Sequence, residues 1–250
     1  WIITQIEKDG YVRVKRAGGS DNMIAASKSV MIHTHKGEKV KGYFGSPAVH
    51  VRDKYTEMGP EQHELWLDLG VGSDEKVKEL GVEVGCLVTF DDQFNEIGDY
   101  YIGRSLDNKI GGYIIAEVLR HIYENDIELP YDLYVVNSVQ EEVGLRGAQM
   151  IVENIKPDVA IVTDVCHDTG TPMLDKIKQG DTKCGDGPVL TYGPAVQNNL
   201  LELIITAAKK NKIPFQRAAA SRATGTDTDA FAYATGGVAS SLISLALRYM

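Results

Sequence analysis

Short runs in which apolar and polar residues alternate occupy the chain up to about residue 95. Alternation of this kind is typical of half-buried β-strands, and turns that contain glycine separate the runs. The segment 74–80 has instead the composition of a short helix, which Ser73 is placed to cap and Gly81 to end. The pattern therefore predicts a small barrel or sandwich with strands at 1–6, 11–15, 29–33, 40–44, 65–69 and 86–90.

The pattern changes after about residue 100, where apolar residues recur at helical spacing and alternate with continuous apolar runs. Helical periodicity followed by a buried strand is typical of α/β folds with a mainly parallel sheet and helices on both faces. We place the boundary between the two regions near residues 95–99. The second region is predicted to contain helices at 108–123, 148–154 and 198–211, and strands at 133–136, 159–162 and 238–247.

The amino-acid composition limits the kinds of molecule that the protein is expected to bind. The 250 residues carry a formal net charge of −9, which argues against a nucleic-acid backbone or an anionic membrane surface. The charge suits a bound cation or a substrate with a positive end, although acidity can also serve solubility alone. No apolar run reaches the ~18 residues that span a bilayer. Three cysteines without a paired motif indicate a reducing compartment, so we expect a cytoplasmic protein.

Two adjacent glutamates, Glu141 and Glu142, follow the apolar run at 133–136 and precede Gly144. The carboxyl ends of strands line the binding crevice of open α/β sheets. Neighbouring residues on an extended backbone point to opposite sides, so one glutamate can bind a metal while the other faces water or substrate. The alternative is a solvated pair of loop residues.

Two aspartates extend this pattern. Asp164 ends the apolar run that begins at Val159, and a carboxylate directly after a buried strand requires a partner or a cation, unless it caps the following turn. Asp107 begins the helix predicted at 108–123, where it either caps the helix or, near the other carboxylates, bridges two metal ions. His167 has the spacing of a further ligand, although a single loop histidine is more often structural.

Five motifs occur in a fixed order along the chain. They are Gly-Arg-Ser-Leu-Asp-Asn at 103–108, Ser-Val-Gln-Glu-Glu-Val-Gly at 138–144, Thr-Asp-Val at 163–165, Gly-Thr-Asp-Thr-Asp-Ala at 225–230 and Arg-Tyr-Met at 248–250. Together they resemble the tetrahedral aminopeptidases, which form metallopeptidase family forty-two and are also called glutamyl or deblocking aminopeptidases. The resemblance covers essentially the whole chain, and the order of the motifs makes it specific.

The resemblance implies a two-metal aminopeptidase that acts on peptides. Residues 1–95 would form an inserted β domain for dimerisation, and dimers would assemble into dodecamers. Residues 96–250 would form an incomplete catalytic α/β domain. By the family's pattern Asp107 bridges two divalent metal ions, zinc or cobalt, while Glu142 binds one ion and Asp164 the other. Glu141 would be the general base.

One departure from the family's pattern stands out. The family uses two histidine ligands, which we expect upstream of Trp1 and directly after Met250, so the 250 residues resemble part of a longer chain. Two other functions remain open, namely a metal-free assembly module and a related two-metal hydrolase of acylated amino acids or other amides. The segment 175–189 is a candidate wall of the specificity pocket, but the sequence leaves the side-chain preference and the metal open.

Overall fold

A computed structural model describes residues 1–48 and 59–249. It divides into two compact units, Trp1–Arg104 and Ser105–Met250. In the described part of the chain, no helix is long and apolar enough to cross a membrane. Cys86, Cys166 and Cys184 are all free thiols.

A closed six-stranded barrel forms the first unit, so the prediction of a small barrel is confirmed. Neighbouring strands are antiparallel throughout, in the order β1-β2-β5-β4-β3-β6 with β6 pairing back to β1. The strands are β1 (Ile2–Ile6), β2 (Val12–Lys15), β3 (Ser29–His33), β4 (Lys39–Gly45), β5 (Trp66–Asp68) and β6 (Leu87–Phe90).

The barrel core follows from the two-residue period of its strands. In β3, Val30 and Ile32 are fully buried, while the residues between and beside them are half-exposed. A single-turn 3-10 helix, Gln62–Glu64, precedes β5. Helix α1 (Asp74–Glu79) begins as predicted, with the Ser73 side chain accepting a hydrogen bond from the Lys76 backbone N–H.

A hairpin of β7 (Asn95–Ile97) and β8 (Tyr100–Ile102) completes the first unit and covers the residues where the sequence places the domain boundary.

A matched pair of leucines tests the barrel core. Leu67 in β5 is fully buried, whereas Leu87 in β6 is 56% exposed. We expect Leu67→Ala to lower the free energy of unfolding by about 2–5 kcal/mol, because it leaves a cavity in a packed core. Leu87→Ala should change it by less than about 0.5 kcal/mol. Urea unfolding followed by tryptophan fluorescence measures both, since Trp1 and Trp66 lie in this unit. Equal effects of the two substitutions would contradict the barrel assignment.

A four-stranded mixed sheet with helices forms the second unit. The strand order is β11-β10-β12-β9, in which β10/β11 and β12/β9 are parallel and β10/β12 is antiparallel. The elements are α2 (Leu106–Glu124), α3 (Arg146–Ile155), β9 (Val159–His167), α4 (Lys176–Gln179), β10 (Val189–Tyr192), α5 (Asn198–Lys210), β11 (Gln216–Ala219), α6 (Asp227–Ala232) and β12 (Ala239–Leu247). Helix α5 packs on β10 and β12 through Leu201 and Ile205, against Leu190 and Leu242.

One predicted strand is wrong. Residues 133–136 are not a strand, and Leu133 and Tyr134 in this segment are 44% and 62% exposed. An apolar run becomes a strand only where a neighbouring strand supplies ladder hydrogen bonds. Among the described residues no strand pairs with this segment.

Candidate functional site

Asp164 lies in the interior of β9, in register with Ser244 of β12. Its side chain is 8% exposed, and Oδ1 accepts a hydrogen bond from the backbone N–H of Val165 at 2.8 Å. The prediction that Asp164 ends its strand is wrong, because residues 163–167 continue the pairing with residues 243–247. The sheet therefore carries a buried carboxylate along the strand rather than one that caps a following turn.

Glu141 and Glu142 lie in a 3-10 turn, Glu141–Val143, and not at the end of a strand as predicted. The turn replaces the extended backbone because the preceding segment has no strand partner among the described residues. The Glu141 carbonyl accepts hydrogen bonds from the N–H groups of Gly144 and Leu145, both at 3.0 Å. We call residues 138–147 the glutamate loop. Its backbone hydrogen bonds close it on itself, and its last two residues are the first two of α3.

Asp107 lies in the first turn of α2 with a non-helical backbone, and the residue at the N-cap position is Ser105, whose side chain makes no capping hydrogen bond. The residue after Asp107 fixes this end of the helix to the sheet. Asn108 Nδ2 donates to the carbonyl of Thr163 at 2.8 Å, and Asn108 Oδ1 accepts from the N–H of Gly111 at 2.9 Å. Because Thr163 precedes Asp164, this contact brings the start of α2 to the part of β9 that carries the buried carboxylate.

Asp227 joins these carboxylates, although it was not among the predicted site residues. It is the first residue of α6 and is 9% exposed, and its Oδ2 accepts a hydrogen bond from Ser138 Oγ. Its Oδ1 is buried and has no hydrogen-bond partner among the described residues. The only sequence signal was its place in the Gly-Thr-Asp-Thr-Asp-Ala motif, which by itself does not separate Asp227 from Asp229.

The carboxylates lie close enough to act on one another electrostatically. Burial, and then the negative charges of Asp164, Asp227, Glu142 and Asp107, raise the pKa of Glu141 to about 7. Burial also raises the pKa of Asp164 to about 6, with smaller contributions from Asp107, Asp227 and Glu142. Burial is the largest cause of the raised pKa of Asp107, Glu142 and Asp227 as well. We call these five residues the carboxylate cluster.

The carboxylate cluster has no cationic partner: the ion pairs found between described residues include none of its members. Within residues 1–48 and 59–249, no three His, Cys, Asp or Glu side chains converge closely enough to hold a metal ion. His167 is exposed at the end of β9. The cluster is thus a set of neighbouring acids rather than a preformed coordination shell, with Asp164 and Asp227 buried, Asp107 and Glu141 half-buried, and Glu142 exposed.

Arg248, from the last predicted motif, fixes the neighbouring strand ends. Its Nε donates to Oδ2 of Asp168 at 3.0 Å, and Asp168 is 2% exposed. The Asp168 N–H donates to the carbonyl of Leu247 at 2.7 Å. These bonds hold the ends of β9 and β12 together.

Gly147 offers a test of how the glutamate loop packs. A Cβ atom there would lie 2.3 Å from the carbonyl oxygen and 2.5 Å from the nitrogen of Val139, so the loop backbone would have to move. We expect Gly147→Ala to destabilise the protein by about 1–3 kcal/mol in chemical unfolding. Gly112→Ala in α2 is the control, because a Cβ there meets no atom within 4 Å. It should be neutral or stabilising by up to about 1 kcal/mol, and a harmless Gly147→Ala would contradict this packing.

The raised pKa values predict a pH dependence for the metal-free protein. In the folded chain Glu141 holds its proton up to about pH 7, whereas in the unfolded chain it loses it near pH 4.5. The folded state therefore binds more protons between these values, so stability is highest below this window and falls as pH rises through it. We expect a loss of about 1–2 kcal/mol in urea unfolding between about pH 5 and pH 7.5, since solvent screens part of the repulsion. A slope unchanged in Glu141→Gln would contradict this origin.

Comparison with known proteins gives a consistent result. A sequence profile described as M42 glutamyl aminopeptidase matches residues 1–250. The chain is 37% identical to FrvX of Escherichia coli (strain K12) over 223 residues, which are 86% of this chain and 61% of FrvX. It is 32% identical to the lysyl aminopeptidase of Pyrococcus furiosus over 252 residues, which cover 100% of this chain and 70% of that enzyme. The chain thus spans between three-fifths and three-quarters of the length of these relatives.

Solved structures agree in fold. The TET aminopeptidase from Thaumarchaeota archaeon SCGC AB-539-E09 has a TM-score of 0.89 and 30% identity, over 100% of this chain and 70% of that one. The structure of PhTET1-12s, a dodecamer in the asymmetric unit, has a TM-score of 0.78 and 25% identity, over 100% of this chain and 71% of that one.

Proposed function

The chain belongs to the M42 family of glutamyl aminopeptidases, and we propose from this that it forms most of a two-metal aminopeptidase, which removes residues from the amino end of peptides. The observation that carries the proposal is the carboxylate cluster, in which five acids come from α2, the glutamate loop, β9 and α6, four of them buried or half-buried, without an ion-pair partner among the described residues. Buried charges of one sign are costly unless a cation compensates them.

The residues present fit divalent cations. Carboxylate oxygens suit several divalent metals, and the buried Oδ1 of Asp227 is an acceptor without a donor among the described residues. We propose that Asp107 bridges two ions, zinc or cobalt, that Glu142 holds one and that Asp164 holds the other. When bound, such ions supply Lewis-acid polarisation of the substrate's carbonyl group. The two further histidine ligands that the family pattern requires remain a prediction outside these residues.

We assign the proton transfers to Glu141. It lies in the same 3-10 turn as Glu142. Because successive side chains of such a turn point in different directions, the two glutamates can have separate roles. Glu141 takes a proton from the attacking water on one carboxylate oxygen and returns it to the departing amine. The negative cluster also favours the positively charged amino end of a peptide, which accounts for cleavage at that end.

The wider organisation belongs to the same proposal. The barrel at 1–95 is an insert that serves dimerisation, and residues 96–250 are the catalytic domain, with a sheet that is mainly parallel and covered by helices on both faces in the complete fold. Assembly of dimers to dodecamers is supported by the dodecameric PhTET1-12s structure. We also propose a cytoplasmic location and no nucleic-acid or membrane partner, in keeping with the net charge of −9.

The proposal is tested by assaying the full-length protein on a panel of aminoacyl-anilides, after chelation and after return of zinc or cobalt. We expect hydrolysis that the chelator abolishes and a metal restores. Matched N-acetylated substrates are the control, because a blocked amino end should stop cleavage. Hydrolysis of the acylated substrates alone would indicate the amide hydrolase, and no hydrolysis with either metal would indicate the inactive assembly module. Both results would overturn the proposal.

A further inference from the structure

Helix α6 does not need Asp227, its first residue, to cap its amino end. The Thr226 side chain already accepts a hydrogen bond from the N–H of Thr228 at 3.2 Å and so caps α6. Asp229 accepts from the N–H groups of Thr224 and Gly225 at 3.0 and 2.9 Å, which fixes the turn before the helix. The capping functions of this short helix are therefore filled by the neighbours of Asp227.

The contact of Asp227 is long-range. Its Oδ2 accepts a hydrogen bond from Ser138 Oγ, a residue 89 positions away, and its Oδ1 remains buried without a partner among the described residues. A buried carboxylate with one unpaired oxygen weakens a fold. Residues that lower the stability of the folded state in this way are expected at functional sites.

Ser138 is the first residue of the glutamate loop. The loop's other hydrogen bonds run within it or into α3, such as the one from the Gly147 N–H to the Val139 carbonyl at 2.9 Å. In the part of the chain that the structure describes, no strand ladder holds the residues before it. Among the described residues, Ser138–Asp227 is thus the side-chain hydrogen bond that links this loop to α6.

From this geometry we infer that Asp227 is a positioning residue, which holds Ser138 and through it keeps Glu141 and Glu142 at the carboxylate cluster. The inference rests on the proposed function for its catalytic consequence, whereas the contact itself does not depend on that function. It gives a role to an aspartate whose sequence signal is only its place in the Gly-Thr-Asp-Thr-Asp-Ala motif.

The experiment compares Asp227→Ala, Asp227→Asn and Ser138→Ala in the full-length protein. Hydrogen–deuterium exchange of the metal-free protein reports on the amides of Gly144, Leu145 and Gly147. We expect the exchange rate of these amides to rise about tenfold in Asp227→Ala and in Ser138→Ala, because each substitution removes one buried hydrogen bond. Asp227→Asn should restore protection, because its side-chain carbonyl still accepts the Ser138 hydrogen. The matched control is Asp229→Ala, which removes a turn contact of the same helix and should leave the loop amides protected.

Kinetics supply the second measurement. With metal present, Asp227→Ala and Ser138→Ala should lower kcat about tenfold and leave KM within about twofold. The double variant should be no worse than either single one, and Asp227→Asn should recover most of kcat. Equal loop exchange in Asp227→Ala and Asp229→Ala, unchanged exchange in Ser138→Ala, or failure of Asp227→Asn to rescue would each overturn the inference. If the wild type is inactive, the proposed function is refuted but the inference about Asp227 is not, because hydrogen–deuterium exchange does not depend on catalysis.

Discussion

Glu141→Gln is expected to lower kcat of the full-length, metal-loaded protein by at least about a hundredfold, and up to about ten-thousandfold. Glutamine keeps the size of the side chain and one of its acceptor oxygens but cannot take a proton from water at neutral pH. Glu141 lies on a short turn whose shape is set by backbone hydrogen bonds from Gly144 and Leu145, so the substitution should leave the turn intact. The loss should therefore appear in kcat and not in metal affinity.

Two measurements accompany this expectation. Calorimetric titration with zinc or cobalt should give the same affinity for Glu141→Gln as for the wild type. Glu153→Gln, an exposed glutamate on the neighbouring helix α3, should keep full activity. Activity that survives Glu141→Gln would remove Glu141 as the base, and a large loss of metal affinity would show that it is a ligand instead.

Asp164→Asn should have two opposite effects on stability. Burial, followed by the charges of Asp107, Asp227 and Glu142, raises the pKa of Asp164 to about 6, so at pH 7.5 the folded protein holds a charge there at a cost. Asparagine removes that charge and can still accept the hydrogen bond from the Val165 N–H. The metal-free variant should therefore be more stable than the wild type by about 1–2 kcal/mol at this pH.

The second effect concerns metal. Saturating zinc or cobalt should stabilise the wild type by about 3 kcal/mol at a hundred times the dissociation constant, and Asp164→Asn should lose most of this gain. Urea unfolding with and without metal measures both effects. Asp158→Asn is the control, an exposed aspartate just before the same strand, and should change neither. An Asp164→Asn variant that is still stabilised like the wild type would show that Asp164 binds no metal.

The carboxylate cluster was only partly predictable. The sequence points to Glu141 and Glu142 because they follow an apolar run, and to Asp164 because a carboxylate directly after a buried strand needs a partner. Asp107 begins a predicted helix, and its role, like the separate roles of the other three acids, comes from the family resemblance. The secondary structure around these acids was not predictable. Asp164 lies within a strand, and the two glutamates lie on a 3-10 turn. Asp227 was missed because its significance depends on Ser138, 89 residues away in sequence.

The sequence by itself determined many, though not all, of the local elements. Alternation places Val30 and Ile32 inside the barrel, Ser73 caps α1 as its spacing predicts, and helical periodicity places α2 and α5 close to their predicted bounds. These features depend on residues a few positions apart. Only the tertiary structure decided that residues 133–136 form no strand, that β10 runs antiparallel to β12, and that Asp227 reaches the glutamate loop. Each depends on which distant segment supplies a hydrogen-bond partner, and periodicity within one segment carries no information about that partner.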